Sequence, residues 1–366
     1  MRVLSLLLLP FTFLYSLITD LRNYLYDKAY LKSIRFEIFT INVGNLTVGG
    51  TGKTPHVEYL IRLLKNDYCV ATLSRGYGRQ TKGFILADEQ ANAAAIGDEP
   101  MQFHQRFGKQ ISVVVGEERT LAIPQLLFEK PQTNVILLDD AYQHRSVQPH
   151  LNLLLTDFHR LFTHDWPFPS GRLRERRKGA KRADIVVVSK CPTDLSEASR
   201  KEIEKEIRLY TQAGTPIFFS GIRYGEPAPF IPDQAAMGDS GLVLVSGIAN
   251  PAPLVKYVSE RYQLFNHCQF GDHHNYTERD IKKIREMCEP FAGEKKIPGK
   301  LNAISLLTTE KDYVKLRALP LATWAPGMNF FYLPMEIYFL ANEGTNFDTV
   351  VRQSMKKHFL EINSVT

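Results

Sequence analysis

One loop constrains this 366-residue chain more than any other feature. Residues 44–55 read Gly-Asn-Leu-Thr-Val-Gly-Gly-Thr-Gly-Lys-Thr-Pro, between an apolar run at 36–43 (FEIFTINV) and a helix-like stretch at 54–65. A buried strand, a glycine-rich turn and a helix, in that order, make a phosphate-binding loop. Glycines let backbone N–H groups converge on phosphate oxygens, and the helix N-terminus adds positive potential. Thr47, Val48, Gly49, Gly50, Thr51, Gly52, Lys53 and Thr54 are therefore the candidate nucleoside triphosphate cradle, with Lys53 reaching the β- and γ-phosphates and the Thr54 hydroxyl on Mg²⁺. The general pattern asks for glycine at 47, where this chain has Thr47.

The rest of the chain repeats the alternation. Apolar runs at 69–73, 111–115, 135–138, 151–155, 185–188 and 217–219 are interspersed with helix-like stretches such as 117–129 and 195–210. That order predicts βαβ units: an α/β fold of the P-loop NTPase type, a mostly parallel sheet with helices on both faces. Residues 225–240 are rich in Pro and Gly and read as a linker. A second series follows: strands at 242–245, 264–270 and 303–307, helices near 251–261 and 277–289, and a last helix near 349–360. The expected organisation is an N-terminal membrane-interface segment (1–35), a P-loop core (36–224), the linker (225–240), a smaller α/β lobe (241–335) and a C-terminal helix returning to the core (336–366). A composition of 44% hydrophobic and 23% charged residues excludes a disordered, collagenous or polytopic membrane protein. The four cysteines include no C-x-x-C pair, which points to reduced thiols in a cytosolic compartment rather than zinc or disulfides.

A second chemical signal lies about 85 residues beyond the loop. Val135-Ile-Leu-Leu-Asp139-Asp140 is an apolar strand ending in two carboxylates, suited to holding Mg²⁺ and taking part in the proton balance of phosphoryl transfer. Arg75 and Arg79 flank glycines and are candidate phosphate clamps; a surface turn is the plainer reading. Residues 172–182 hold seven basic residues in eleven, which is either a solvated charged face or a contact for an anionic lipid or a substrate phosphate, with Arg172 and Arg174 nearest the chemistry. No aromatics interleave with them, so nucleic acid is not expected as a partner. The net charge of +6 suits anionic partners without choosing among them.

Seventeen uncharged residues lie between Arg2 and Asp20, with Pro10 in their midst. The run is short for a bilayer span, and a proline there is expected to break or kink a helix. Tyr24, Tyr26 and Tyr30, with Arg22, Lys28, Lys32 and Arg35, suit a headgroup-level anchor. The reading is a monotopic segment in the membrane interface; a buried core helix is the alternative.

These residues carry a family likeness. The chain resembles the tetraacyldisaccharide 4'-kinases, the lipid A kinases of Gram-negative bacteria, over most of its length. The likeness rests on the apolar N-terminus, the loop 44–55 with its Thr47, Ser74-Arg-Gly-Tyr-Gly-Arg79, Gly97-Asp98-Glu99-Pro100, Asp139-Asp140-Ala-Tyr-Gln143-His144, Pro169-Ser-Gly-Arg172-Leu-Arg174-Glu175, Asp272-His273-His274-Asn-Tyr276 and Thr309-Glu310-Lys311-Asp312. It departs at Ala141-Tyr142, at Ser170 and in the basic residues after Glu175.

The resemblance implies that ATP phosphorylates the 4'-hydroxyl of an acylated disaccharide 1-phosphate to give lipid IVA, at the cytoplasmic face of the inner membrane. It implies Asp98 as general base paired with His273, and Thr54, Gln143 and Glu175 as neighbours of Mg²⁺. From the residues themselves, Asp98 is equally a helix cap or a base. Two rival functions follow from the motifs: a membrane-associated ATPase or GTPase switch, and a phosphoesterase using the 272–274 triplet. The sequence leaves the oligomeric state open.

Overall fold

The protein is described by a computed structural model over residues 7–231, 237, 241–272, 274–292, 305–324 and 329–364. His273, half of the predicted linker (232–236 and 238–240) and the first part of the strand predicted at 303–307 lie outside the described residues. The first sheet uses β1 (Phe39–Asn45), β2 (Val70–Ser74), β3 (Ile85–Leu86), β4 (Ser112–Val115), β5 (Val135–Asp139), β6 (Leu151–Asp157), β7 (Ile185–Ser189) and β8 (Ile217–Tyr224). The second uses β9 (Ala228–Pro229), β10 (Leu242–Ser246), β11 (Leu264–Gln269), β12 (Ser305–Thr309) and β13 (Asn329–Leu333), after which β14 (Met335–Phe339) rejoins the first. Among the described residues the orders are β14-β8-β7-β6-β1-β5-β2-β4-β3 and β11-β10-β12-β13-β9.

Among the described residues of the large sheet, only the edge strands β3 and β14 run antiparallel. The interior strands β1, β2, β5 and β7 are buried at every position, as strands covered on both faces must be. The helices used below are α1 (Leu9–Asp27), α2 (Lys53–Leu64), α3 (Asp98–Phe107), α4 (Arg119–Glu129), α5 (Glu197–Arg208), α6 (Ala252–Arg261), α7 (Glu278–Ala292), α8 (Glu310–Leu316) and α9 (Gly344–Asn363). Phe347, Val351 and Met355 of α9 enter the core beside Phe39, Leu60, Phe218 and Phe339, and Tyr59 of α2 donates to Asp348 at 2.9 Å.

The chain passes between the two sheets at adjacent points. β8 gives way to β9 through 225–227, and β13 to β14 through Pro334 alone. The Gly225 N–H donates to the Pro334 carbonyl at 2.9 Å, so the two crossings are tied together. A proline fits this point because it needs no ladder donor of its own.

Pro10 does not break the N-terminal helix. It lies in the first turn of α1, where a missing N–H leaves no helical bond unmade, and the helix continues through Asp20 to Asp27. No helix among the described residues is long and apolar enough to cross a membrane.

Candidate active site

The loop after β1 is held from three sides. Asn45 donates to Thr51 Oγ1 at 2.8 Å, and Ser189, at the end of β7, donates to the Thr51 carbonyl at 2.8 Å. Lys190 donates to the Gly50 carbonyl and to Asp157, at 2.7 Å in the second case. On the third side Val48 N–H donates to Arg172 O at 2.7 Å and Arg174 N–H to Leu46 O at 2.6 Å, with Thr47 bridged to Leu173. Thr47 is thus extended and paired, and needs no glycine. The left-handed turns fall at Gly49 (φ 119°) and Gly52 (φ 81°), directly before α2.

β1 pairs with β5, Val43 opposite Asp139, so the carboxylate pair stands beside the root of the loop. Asp140 has φ 50°, which turns its side chain back to Lys53 at 3.7 Å and to Arg174 in a two-pronged bond of 2.8 and 3.0 Å. Burial pushes the Asp140 carboxyl up, but Lys53 and Arg174 outweigh it and hold the group below the usual carboxylate range. Asp139 goes the other way: it is 1% exposed, and burial together with the Glu99 and Asp140 charges raises it well above that range, against Lys53 and Arg119. Its Oδ1 is buried and has no hydrogen-bond partner among the described residues. An oxygen left in that state beside Lys53, Glu99 and Asp140 has the donor chemistry of a hard-cation site.

Thr54 donates to Glu99 at 3.2 Å, which ties α2 to the start of α3. Asp98 is the first residue of α3, while the cap position belongs to Gly97 (φ 93°). A Cβ at Gly97 would lie 3.0 Å from the Tyr77 carbonyl, and one at Gly76 would lie 2.9 Å from the Ile96 carbonyl. The Ser74–Arg79 turn therefore needs its glycine to pack under the Asp98 turn.

Among the predicted substrate arginines, Arg75 and Arg172 are exposed. Arg79 is committed to Glu117 at 2.5 Å and to the Gly83 carbonyl at 2.6 Å, and Arg174 to Asp140. Gln143 donates to the Asn45 carbonyl at 3.0 Å and to Glu175 at 3.1 Å. Glu175 is 2% exposed and its oxygens accept from Arg182 (2.6 and 2.9 Å) and Asn23 (2.7 Å). Much of the basic run is therefore internal structure rather than a solvated face: Arg176 and Lys178 also pair with Asp20 of α1, at 3.4 and 3.0 Å.

Helix α1 sits on these same residues and is inverted relative to a core helix. Thr12, Ser16 and Asn23 are its buried positions, whereas Phe11, Phe13, Leu14, Leu17, Ile18 and Leu21 are all more than 50% exposed. Tyr15 donates to the Arg174 carbonyl at 2.8 Å, and Arg22 to the Gln143 carbonyl at 3.0 Å. The core-helix alternative fails on this distribution.

Sequence reasoning did not single out Glu99, Arg119 or Lys315. Arg119 is 3% exposed at the start of α4 and acts on Asp139. Lys315, on α8, lies 3.4 Å from Asp98 Oδ2. Nothing local marks either one, since each reaches the site from a distant element.

His56, one turn into α2, is fully buried. Its Nδ1 bonds the Gly52 carbonyl at 2.6 Å and its Nε2 lies 3.0 Å from Ser220 Oγ. Burial pushes its pKa down to about 4. The unfolded chain takes up this proton near 6.5, so the stabilisation is complete above that pH and is lost as pH falls towards 4. The full effect is roughly 3 kcal/mol. The melting temperature should fall between pH 6.5 and 4.5, and His56→Gln should flatten that part of the curve; parallel curves would show that another group governs it.

A glycine loop between strand and helix, a buried lysine facing a carboxylate pair, and a parallel sheet with the loop at the carboxyl ends of its strands define a P-loop enzyme acting on a nucleoside triphosphate. The family model for tetraacyldisaccharide-1-P 4'-kinase matches residues 4–356. Tetraacyldisaccharide 4'-kinase of Flavobacterium johnsoniae is 43% identical over 363 residues, covering 98% of this chain and 99% of that protein. The Bacteroides thetaiotaomicron protein of the same name is 40% identical, over 93% of this chain and 90% of its own length. A crystal structure of LpxK from Aquifex aeolicus in complex with ATP superposes with a TM-score of 0.72 at 28% identity, covering 96% of this chain and 99% of that one. The chain belongs to the tetraacyldisaccharide-1-P 4'-kinase family.

Proposed function

We propose that this protein transfers the γ-phosphoryl group of ATP to the 4'-hydroxyl of a tetraacylated glucosamine disaccharide 1-phosphate, giving lipid IVA in lipid A biosynthesis. One observation carries the reading. The triphosphate loop is bonded through Arg172 and Arg174 to the segment that seats α1, a helix with its apolar side turned outward. Nucleotide chemistry and a lipid-facing surface therefore share one piece of structure.

Each group has a role. The loop amides of 47–52 and Lys53 bind the triphosphate, and Asp140 with Arg174 keeps Lys53 in place between turnovers. Thr54 and Asp139 would hold Mg²⁺, with Gln143 and Glu175 in the same environment at one remove. Bound Mg²⁺ supplies neutralisation of charge on the β- and γ-phosphate oxygens. The sugar hydroxyl oxygen bonds to the γ-phosphorus while its proton passes to the Asp98 carboxylate, assisted by His273, and ADP leaves. The exposed Arg75 and Arg172 meet substrate phosphate, and Arg79 braces the turn that carries Arg75 through Glu117.

The protein works as a monotopic or peripheral protein at the cytoplasmic face of the inner membrane. A cavity of about 540 Å³ between α1 and 165–178, bounded by Phe13, Trp166 and Arg177, supports acyl-chain contact there. The double variant Phe13→Asp/Ile18→Asp removes two apolar side chains, each worth about 1.5–3 kcal/mol on burial. Its flotation with phosphatidylglycerol-containing vesicles should drop at least ~10-fold while ATP binding is kept; undiminished flotation would remove the membrane face from α1. The activity itself is tested by mass spectrometry of the lipid after reaction of purified protein, ATP and the disaccharide 1-phosphate. Gain of one phosphate is expected. An unchanged lipid with inorganic phosphate released from ATP would favour the ATPase switch.

A further inference from the structure

The helix carrying Asp98 is fastened to the small lobe at both ends. Arg106, near the end of α3, bonds Glu310 at the start of α8 at 3.0 Å, and also Glu58 at 2.6 Å. Asp98, at the start of α3, lies 3.4 Å from Nζ of Lys315, near the end of α8. The two helices therefore run antiparallel, with an ion pair closing each end.

Lys315 is the unusual member. Its side chain is 6% exposed, and its Nζ has no hydrogen-bond partner among the described residues. Asp312, one turn earlier, stands at 3.7 Å and is fully buried. Oδ2 of Asp312 accepts from the Gly247 N–H at 2.8 Å and the Thr309 hydroxyl at 2.7 Å, which fix the carboxylate as an anchor, while its Oδ1, without a hydrogen-bond partner among the described residues, faces the ammonium. The Tyr276 ring lies beneath the ammonium, its centroid 5.7 Å from Nζ. Among the described residues, Asp98 from α3, Asp312 from α8 and the Tyr276 hydroxyl from the segment after β11 are thus the titratable groups that face this cation. Burying an ammonium is costly unless its charge is used. Here one buried cation of the small lobe faces two carboxylates, one from each lobe.

We propose that Lys315 is a positioning residue for the reaction: from the small lobe it aims the Asp98 carboxylate and keeps it ionised against the triphosphate charge, so that the base is armed only when the lobes are together. The inference rests on the reading of Asp98 as base. Lys315 takes no proton itself. The hydroxyl proton goes to Asp98 as the new O–P bond forms and the bond to the ADP oxygen breaks.

The test is the pH dependence of kcat for the full-length protein with ATP and the disaccharide 1-phosphate. An opposite charge within ~4–6 Å lowers a carboxylate pKa by about 1–3 units. Lys315→Met should therefore move the acid limb of kcat up by at least ~1 pH unit, with activity recovering toward the wild-type plateau at high pH and KM for ATP within about twofold. Lys315→Arg keeps the charge and should keep the limb within ~0.5 unit, whatever its plateau. A folded Lys315→Met with an unmoved limb and a uniform loss of rate would overturn the proposal. If thermal melting shows that Lys315→Met does not fold, Lys315→Arg decides, and a full-unit displacement there would overturn it. Asp98→Asn judges the underlying reading separately: a fully active Asp98→Asn protein removes the base, whereas an inactive one with an unmoved Lys315→Met limb removes only the role given to Lys315.

Discussion

Replacing Lys53 by alanine should lower lipid phosphorylation at least ~1000-fold, equivalent to about 4 kcal/mol of transition-state stabilisation. The lysine is 9% exposed and points from the first turn of α2 into the carboxylate pair, so its removal strips the loop of the charge that meets the β- and γ-phosphates. The fold should survive the change. Asp140 keeps its two-pronged bond to Arg174, and the loop keeps its ties to Ser189, Lys190 and Asn45. Melting temperature and lipid product should be measured on the same preparation. A variant that retained activity within tenfold of wild type would mean the loop does not serve the chemistry, and would return attention to the Asp272-His273-His274 triplet.

Asp98→Asn should cost about 10²–10⁴ in kcat, the ordinary worth of a positioned general base, with little change in KM for ATP. The substitution is nearly isosteric, and the turn that carries it is set by Gly97 and Gly76 rather than by the carboxylate. A fall in ATP affinity with unchanged kcat would instead make Asp98 part of nucleotide binding.

The core strands could be read from the sequence because they are covered on both faces. Runs such as 135–138 and 185–188 are apolar throughout, which few other structures tolerate. The loop was legible for a similar reason: its residues are adjacent in sequence and their chemistry is local. What escaped lies at edges and across distance. β3 and β9 have two residues each, and β9 ends in a proline, so neither carries a periodic signal. β13 and β14 are separated by Pro334 alone and join different sheets, a division that no composition change announces. The orientation of α1 was also hidden. Its apolar run is compatible with core or lipid, and only the bonds of Thr12, Tyr15 and Asn23 to the 170–175 segment show which side faces protein. Arg119 and Lys315 escaped because their meaning comes from Asp139 and Asp98, each on a different element of the fold.

The paired crossings at Gly225 and Pro334 have a bearing on biosynthesis. Everything from 225 to 334 must leave the ribosome before β14 and α9 exist, a delay of roughly 5–20 s at ordinary elongation rates. Through that interval the nascent nucleotide half lacks its final edge strand, and the apolar surface around Phe39, Leu60 and Phe218 awaits Phe347, Val351 and Met355. The phosphate cradle can be laid down early, but its hydrophobic backing is sealed only by residues translated after the whole small lobe, which makes the docking of α9 the step that commits the nucleotide half to its native state.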